Sequence, residues 1–440
     1  MTSFQMDPAG EDGWGYTRTK NTLANGLKIV RILQPHLHRG SVAVYFRAGS
    51  RFESPEENGL GHFLEHMIFR GSGSHPSAFA LNLAVEELGG TLFAATAPDC
   101  TVFEITLPRE TLEQGARLLA EIVTKPLFAD IDIERRIIVE EIREDVDERG
   151  APIDIDFLSR SRMWPGHPLG QAVTGPPANV AGFRIEDVRR MFERSYAGRN
   201  AVVAVSGSFD SDRLGRAVEE SFSAMPAGAP SPPSLRPAPA PGPTVLHAHH
   251  GGSQTLARIA FHAPGEDDPD RTALAILMSV LDDGMSTRLH RRIFEEQGLA
   301  YNVSAELDQY EDAGVLDIEA ACVHENVPSL VAEALSIVAD LRDRPASDRE
   351  LAKAKRRAIW GLRLTLDDPH GMSSWFGEQE LFREPEPLEE RARAVEAVTA
   401  ADVRRVAARV FRADGLHVTT VGVLDGRCRA EIERIASSFA

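Results

Sequence analysis

Cysteine and lysine are scarce in this chain of 440 residues. The cysteines, Cys100, Cys322 and Cys428, are odd in number and far apart. That spacing excludes a disulfide framework, and no C-x-x-C occurs to build a thiolate zinc site. They are expected to be free, buried thiols in a reducing compartment. Lysine stands only at Lys20, Lys28, Lys125, Lys353 and Lys355 while arginine is abundant, a bias of composition rather than of function. The net charge of −18 argues against nucleic acid as a partner. It is compatible with steering of basic peptides and equally with plain solubility. No apolar run approaches the roughly 20 residues of a membrane-spanning helix. Residues 1–16 carry Asp7, Glu11 and Asp12 and lack the apolar core of a secretory signal and the arginines of a transit peptide. The expectation is a cytoplasmic protein with no membrane partner.

What is present is concentrated in His62-Phe63-Leu64-Glu65-His66, the H-x-x-E-H pattern of inverted zinc proteases. On a helix, His62 and His66 are four positions apart and stack on one face, with Glu65 beside them. Two imidazoles at that spacing can hold one zinc, and a neighbouring carboxylate can take a proton from water. The pattern also arises by chance, so its context decides.

A catalytic zinc needs a third protein ligand and an open position. The stretch from Asp130 to Asp145 reads as a helix with Asp130 at its N-cap. Turned at about 100° per residue, it places Ile131, Ile138, Val139, Ile142 and Val146 on an apolar sector and Arg136, Glu140, Arg143 and Asp147 opposite. Glu134 and Glu141 share a stripe between Ile137 and Ile138, at the edge of the buried face. A carboxylate there is costly unless paired or bound to metal. Glu140 instead reads as a solvated charge beside arginines. Glu141 is therefore the expected ligand and Glu134 the residue supporting the ligand set from behind. The competing reading is an amphipathic helix with acidic flanks.

The length suits two domains. A Pro/Ala-rich linker, 226–243, divides residues 1–225 from 244–440. The two sides look like diverged copies of one unit. Strand-like 26–33 and 41–46 lead to a helix at Leu60–Phe69, and strand-like 254–261 leads to one at 271–281. Glu87-Leu88-Gly89-Gly90-Thr91-Leu92-Phe93-Ala94 echoes Gln297-Gly298-Leu299-Ala300-Tyr301-Asn302-Val303-Ser304, and Ala201–Gly207 echoes His417–Gly422. The expected fold is α+β: two homologous domains, each a mixed or antiparallel sheet covered by helices. The second copy has Ala275-Ile276-Leu277-Met278 where the motif would stand, so only the first is expected to hold metal. His247-Ala248-His249-His250 could offer a second, structural metal site, but no acid accompanies it. His167, in a His-Pro-Leu-Gly turn, reads as structural.

With Glu134-x6-Glu141 following the first motif, the chain resembles the M16 metallopeptidases (insulinase, pitrilysin, mitochondrial processing peptidase). Ser54-Pro55-Glu56-Glu57-Asn58-Gly59-Leu60-Gly61, the Gly89-Gly90 stretch, His167-Pro168-Leu169-Gly170, Tyr196, Asn200 and Gly284-Met285-Ser286-Thr287-Arg288-Leu289 match in order and spacing. The resemblance covers most of the chain and points to the short, single-unit type. It implies a zinc endopeptidase with one Zn²⁺ per chain, held by His62, His66 and Glu141, with Glu65 carrying the proton and Glu134 in support. It implies a peptide bound in extended form inside a chamber enclosed by a homodimer or a heterodimer with another such chain. It also points to Tyr301 as a substrate or oxyanion contact, against the alternative of a core aromatic. Two positions depart from the pattern. Phe294 stands where many relatives have arginine, and Phe93 where many have asparagine. Both changes remove a polar substrate contact. The alternative reading is a non-catalytic or partner-dependent subunit, although such members typically lose the H-x-x-E-H that this chain keeps.

Overall fold

The computed structural model describes residues 14–232 and 235–440 and the backbone of Gln5–Met6. The reading of the first thirteen residues and the linker positions Pro233 and Ser234 lie outside the described residues. Strands are Gln5–Met6 (β1), Thr17–Thr22 (β2), Lys28–Leu33 (β3), Arg39–Phe46 (β4), Thr91–Thr96 (β5), Thr101–Pro108 (β6), Ala201–Gly207 (β7), Thr244–His249 (β8), Thr255–Ala263 (β9), Val303–Gln309 (β10), Gly314–Cys322 (β11) and Leu416–Gly422 (β12).

They form two sheets, in the orders β1-β2-β3-β7-β4-β6-β5 and β8-β12-β9-β11-β10. In the first, β3 and β7 are parallel and the other pairs antiparallel. In the second, β8 and β12 are parallel and the rest antiparallel. Five strands thus repeat one topology, β3-β7-β4-β6-β5 matching β8-β12-β9-β11-β10, and the first sheet adds β1 and β2. The expected class, two homologous α+β domains with mixed sheets packed by helices, is the one observed. Tyr301 precedes its strand, which starts at Val303.

In the first sheet, alternation sends Ile29, Val42, Val44, Phe46, Phe103, Ile105, Val203 and Val205 into a core shared with the helices Leu60–Ile68 (α1), Ala78–Glu87 (α2), Leu112–Thr124 (α3) and Ile131–Ile142 (α4). The intervening residues Val30, Ile32, Ala43, Tyr45, Val202 and Ala204 pack against Met372, Phe376 and Leu388 on the other face. Both faces are covered, so β7 is buried at every position and reads as an unbroken apolar run rather than an alternating one. The second sheet has its core with the helices Arg271–Leu281, Val327–Asp343, Ala400–Val410 and Gly426–Ser438. Its other face packs Leu256, Ala260 and Val421 against Ile155, Leu158, Met163 and Trp164 of the stretch that contains helix Ile155–Met163 (α5).

The compact units are therefore not contiguous halves. One unit is Met1–Ile142, Ala172–Ser234 and Leu362–Glu389; the other is Arg143–Gln171, Leu235–Gly361 and Glu390–Ala440. Spans of 1–225 and 244–440 miss this exchange of covering segments. Each sheet needs its second apolar face shielded, and the residues that do so come from the other half of the sequence. The linker is fastened on both sides. Ser231 N–H donates to Asn200 Oδ1 and Ser231 Oγ to the Arg47 carbonyl, while the Ala240 amide donates to the Met163 carbonyl and Gly242 to Asp414.

Phe376 has no exposed surface and fixes the covering segment on the first sheet. Phe376→Ala is expected to lower stability by about 3–5 kcal/mol, through lost burial and a residual cavity. A denaturant titration followed by fluorescence, with Trp14 and Trp375 reporting on the first unit, measures it; a loss within noise would show that the segment does not pack there in solution.

Candidate metal centre

The H-x-x-E-H residues lie on α1. Phe63, Leu64 and Met67 have no exposed surface, and each contributes about 1.5–3 kcal/mol by burial, which fixes the helix's rotation and turns His62 and His66 to the opposite side. No side chain caps α1 from its N-cap residue, Gly59, whose φ of 96° favours glycine. Glu53, from the preceding turn, does the capping. Its carboxylate accepts the Gly59 N–H at 2.8 Å and the Gly61 N–H at 2.6 Å. A Cβ on Gly61 would stand 2.6 Å from that oxygen, so glycine is needed for the approach. Burial pushes the Glu53 carboxyl up to about 7, against the hydrogen bonds from Gly59, Gly61 and Asn58.

α4 crosses α1 and brings its acids to the histidines. His62 Nε2 lies 3.6 Å from Glu141 Oε1, and His66 Nε2 lies 3.7 Å from Glu141 Oε2. The imidazole centroids are 4.7 Å apart. Ligand atoms of the three residues fall within 4.8 Å of one another, and no other trio of metal-ligating residues does so among the described residues. Around a tetrahedral zinc with bonds of about 2.0–2.1 Å, neighbouring donor atoms stand roughly 3.3 Å apart. The gaps here are too long for hydrogen bonds and close to that separation, so the donor set fits one ion.

Glu134 is buried and accepts from His66 Nδ1 at 3.0 Å. That bond leaves Nε2 as the free lone pair facing Glu141. The other Glu134 oxygen pairs with Arg70 Nη1 at 3.1 Å, and Arg70 Nη2 donates to Asp130 at 3.0 Å. Asp130, read from sequence as an N-cap, has φ of 56° and gives its carboxylate to Arg70. α4 ends at Ile142, and Val146 is not on the helix's apolar sector; it forms an isolated bridge with Pro152. Ile138 and Ile142 are buried as expected.

The two histidines titrate apart. Burial, aided by His66, holds His62 down to about 4, so its ring is neutral and able to ligate. Burial also presses His66 down, but the hydrogen bond and charge of Glu134, with Glu141 and Glu65, outweigh it and raise that ring. Burial raises Glu65, opposed by a hydrogen bond from Thr96 and by His66. Thr96 Oγ1 donates to Glu65 Oε2 at 2.5 Å.

Other expected residues lie elsewhere. Tyr301 belongs to the second unit and is 87% exposed, so it is not a core aromatic; its ring stands 6.2 Å from Phe294. Arg291 and Arg292, near the departed arginine position, are engaged by Glu296 and by Glu333 and Asp340. Phe93 is half exposed, its ring 6.1 Å from His370 on the sheet face away from Glu65. His247 Nδ1 pairs with Thr420 Oγ1, and His167 Nδ1 accepts the Leu169 N–H. Reading the sequence missed Arg70, Glu53 and Thr96. Only Arg70 carried a signal, extending the i, i+4 stripe of His62 and His66 by one turn.

Comparison with known proteins identifies the family. A family profile described as "Insulinase (Peptidase family M16)" matches residues 28–177, and one described as "Peptidase M16 inactive domain" matches 182–358. An uncharacterized zinc protease of Mycobacterium tuberculosis is 31% identical over 399 residues, covering 88% of this chain and 89% of the relative. The chain belongs to peptidase family M16. An uncharacterized zinc protease of Streptomyces coelicolor is 30% identical, covering 90% and 88% of the two chains. The mitochondrial-processing peptidase subunit beta of Lentinula edodes is 28% identical, covering 92% and 90%. A solved protease from Helicobacter pylori shares the fold, with a TM-score of 0.85 at 20% identity over 92% of this chain and 99% of that one.

If α4 supplies the third ligand through Glu141, then Glu141→Gln is expected to weaken zinc binding by at least tenfold, while Glu140→Gln leaves it unchanged. Chelator competition on both variants checks this; equal loss in the two, or loss only in Glu140→Gln, would reject the assignment.

Proposed function

We propose that this M16 member is a zinc-dependent endopeptidase that hydrolyses short or unfolded peptides, with one zinc held by His62, His66 and Glu141. The observation that carries the reading is that the Glu141 carboxylate faces both imidazole Nε2 atoms, at 3.6 and 3.7 Å, with ligand atoms of the three residues within 4.8 Å of one another, and that a second carboxylate, Glu65, lies on the same helix as the histidines. When bound, zinc supplies Lewis acidity toward a water and toward a carbonyl oxygen. Glu65 then accepts the proton from the attacking water, whose oxygen bonds to the carbonyl carbon. It returns that proton to the amide nitrogen as the C–N bond breaks. Its raised affinity for protons, caused first by burial, suits a group that must hold a proton between the two transfers. Glu134 keeps His66 turned to the metal, and Arg70 keeps Glu134 in place.

β5 stands at one end of its sheet, and a peptide could add to its outer edge as a further strand. Tyr301, exposed in the second unit, is the proposed substrate contact. The working form is a dimer that encloses the peptide, either of this chain or with another M16 chain. The proposed place is the cytoplasm. No helix among the described residues is long and apolar enough to cross a membrane, and the three cysteines are free.

A second reading, a subunit active only with a partner, is favoured by one observation. Phe294 replaces a usual arginine, and the neighbouring arginines are occupied by Glu296, Glu333 and Asp340. A partner chain would then supply the missing contact.

Glu65→Gln is expected to retain zinc and peptide binding but to lose hydrolysis by about 10²–10⁴-fold. Near wild-type turnover in that variant would remove Glu65 from the chemistry. Tyr301→Phe is expected to slow cleavage with zinc content unchanged; unaltered kinetics would exclude its hydroxyl from substrate contact. Assays at rising chain concentration, with and without a second M16 chain, separate the two readings.

A further inference from the structure

Thr96 is the last residue of β5. Along that strand Leu92 and Ala94 pack against the core shared with α1, and strict alternation points Thr96 to the same side. There its hydroxyl meets Glu65 Oε2 at 2.5 Å. No other hydrogen bond holds the Glu65 carboxylate among the described residues, so Oε1 is left open. The torsion that sets a glutamate's carboxylate plane is soft and broadly populated. A base acting by one oxygen therefore needs its other oxygen fixed.

We propose that Thr96 is a positioning residue for Glu65. This rests on the endopeptidase reading. The hydroxyl donates to Oε2 and thereby directs Oε1 toward the reacting water. The proton released by that water goes to Oε1, and the bond from Thr96 to Oε2 survives because Oε2 is still an acceptor in the carboxylic acid. When Oε1 passes its proton to the leaving nitrogen, the carboxylate returns to its starting orientation without turning. A hydroxyl bond to an ionised carboxylate is among the stronger hydrogen bonds, so one donor suffices. Because Thr96 also lies on an edge strand, a rival role would be to shape the surface on which a peptide docks. The two roles separate kinetically: orientation of Glu65 acts on kcat, and docking acts on KM.

The test uses the full chain in its active assembly, with metal content measured alongside steady-state cleavage of an unstructured peptide. Thr96→Val keeps the shape and removes the donor. It is expected to hold one zinc per chain, to keep KM, and to lose kcat by about 10–100-fold, as for one charge-assisted hydrogen bond. Thr96→Ser, which keeps the donor, is expected to restore most of kcat. In crystals of zinc-loaded Thr96→Val, the Glu65 carboxylate should lose its single orientation. Thr96→Ala serves in its place if the valine variant does not fold. Wild-type kcat in the valine variant, a loss residing in KM, a loss equal in the serine variant, or loss of zinc would each overturn the role while leaving the endopeptidase reading intact. A wild-type assembly that holds zinc yet cleaves nothing overturns both.

Discussion

The site depends on one partly buried contact, that between His66 Nδ1 and Glu134. A carboxylate inside a helix–helix interface is costly on its own. Here it is shared between an imidazole on α1 and the guanidinium of Arg70, just past the C-terminal end of that helix. The ladder Asp130–Arg70–Glu134–His66 crosses between the α1 and α4 segments three times and sets their relative rotation. Once that rotation is set, Glu141, seven residues after Glu134, arrives opposite both Nε2 atoms. Taking away Glu134 would cost Arg70 one of its two carboxylate partners, leaving Asp130, and free the His66 ring to turn, so ligand geometry and local stability are coupled through the same carboxylate.

The apolar side of α1 supplies the other half of the constraint. Phe63, Leu64 and Met67 anchor the helix in the core, and the Glu53 carboxylate closes its N-terminus in place of an N-cap side chain. The histidines are thereby presented from a rigid element and not from a loop. The second sheet repeats the strand order of the first, yet the helix at the corresponding place, Arg271–Leu281, is apolar on the side that matters and offers no ligands. One topology thus serves two purposes, according to which side chains its first long helix carries.

Much of this was legible from spacing alone. The i, i+4 histidines and the seven-residue interval from Glu134 to Glu141 are helical periods, and helical periods survive in sequence whatever the tertiary context. The strands, too, announced themselves by β-branched runs and glycine-marked turns. What was hidden depends on contacts that no periodicity records. Arg70 and Thr96 act through partners far along the chain, Glu53 acts through backbone amides six and eight residues on, and Val146 continued a helical stripe that the backbone had already left. The exchange of covering segments, 143–171 and 362–389, was equally invisible, since an amphipathic helix records that it has an apolar face but not which sheet that face meets. Tyr301 shows the limit in another way: an aromatic beside a strand reads as well for core as for substrate contact, and only its exposure separates the two cases.

The claim on which the account stands is that His62, His66 and Glu141 share one zinc. A crystal structure of zinc-loaded protein, with data collected on both sides of the zinc absorption edge, tests it most directly. The account predicts one strong anomalous peak per chain, about 2.0–2.2 Å from His62 Nε2, His66 Nε2 and a Glu141 oxygen, with Glu134 still on His66 Nδ1. A peak at other residues, or at the two histidines with Glu141 turned away and Glu140 or Glu134 in its place, would contradict it.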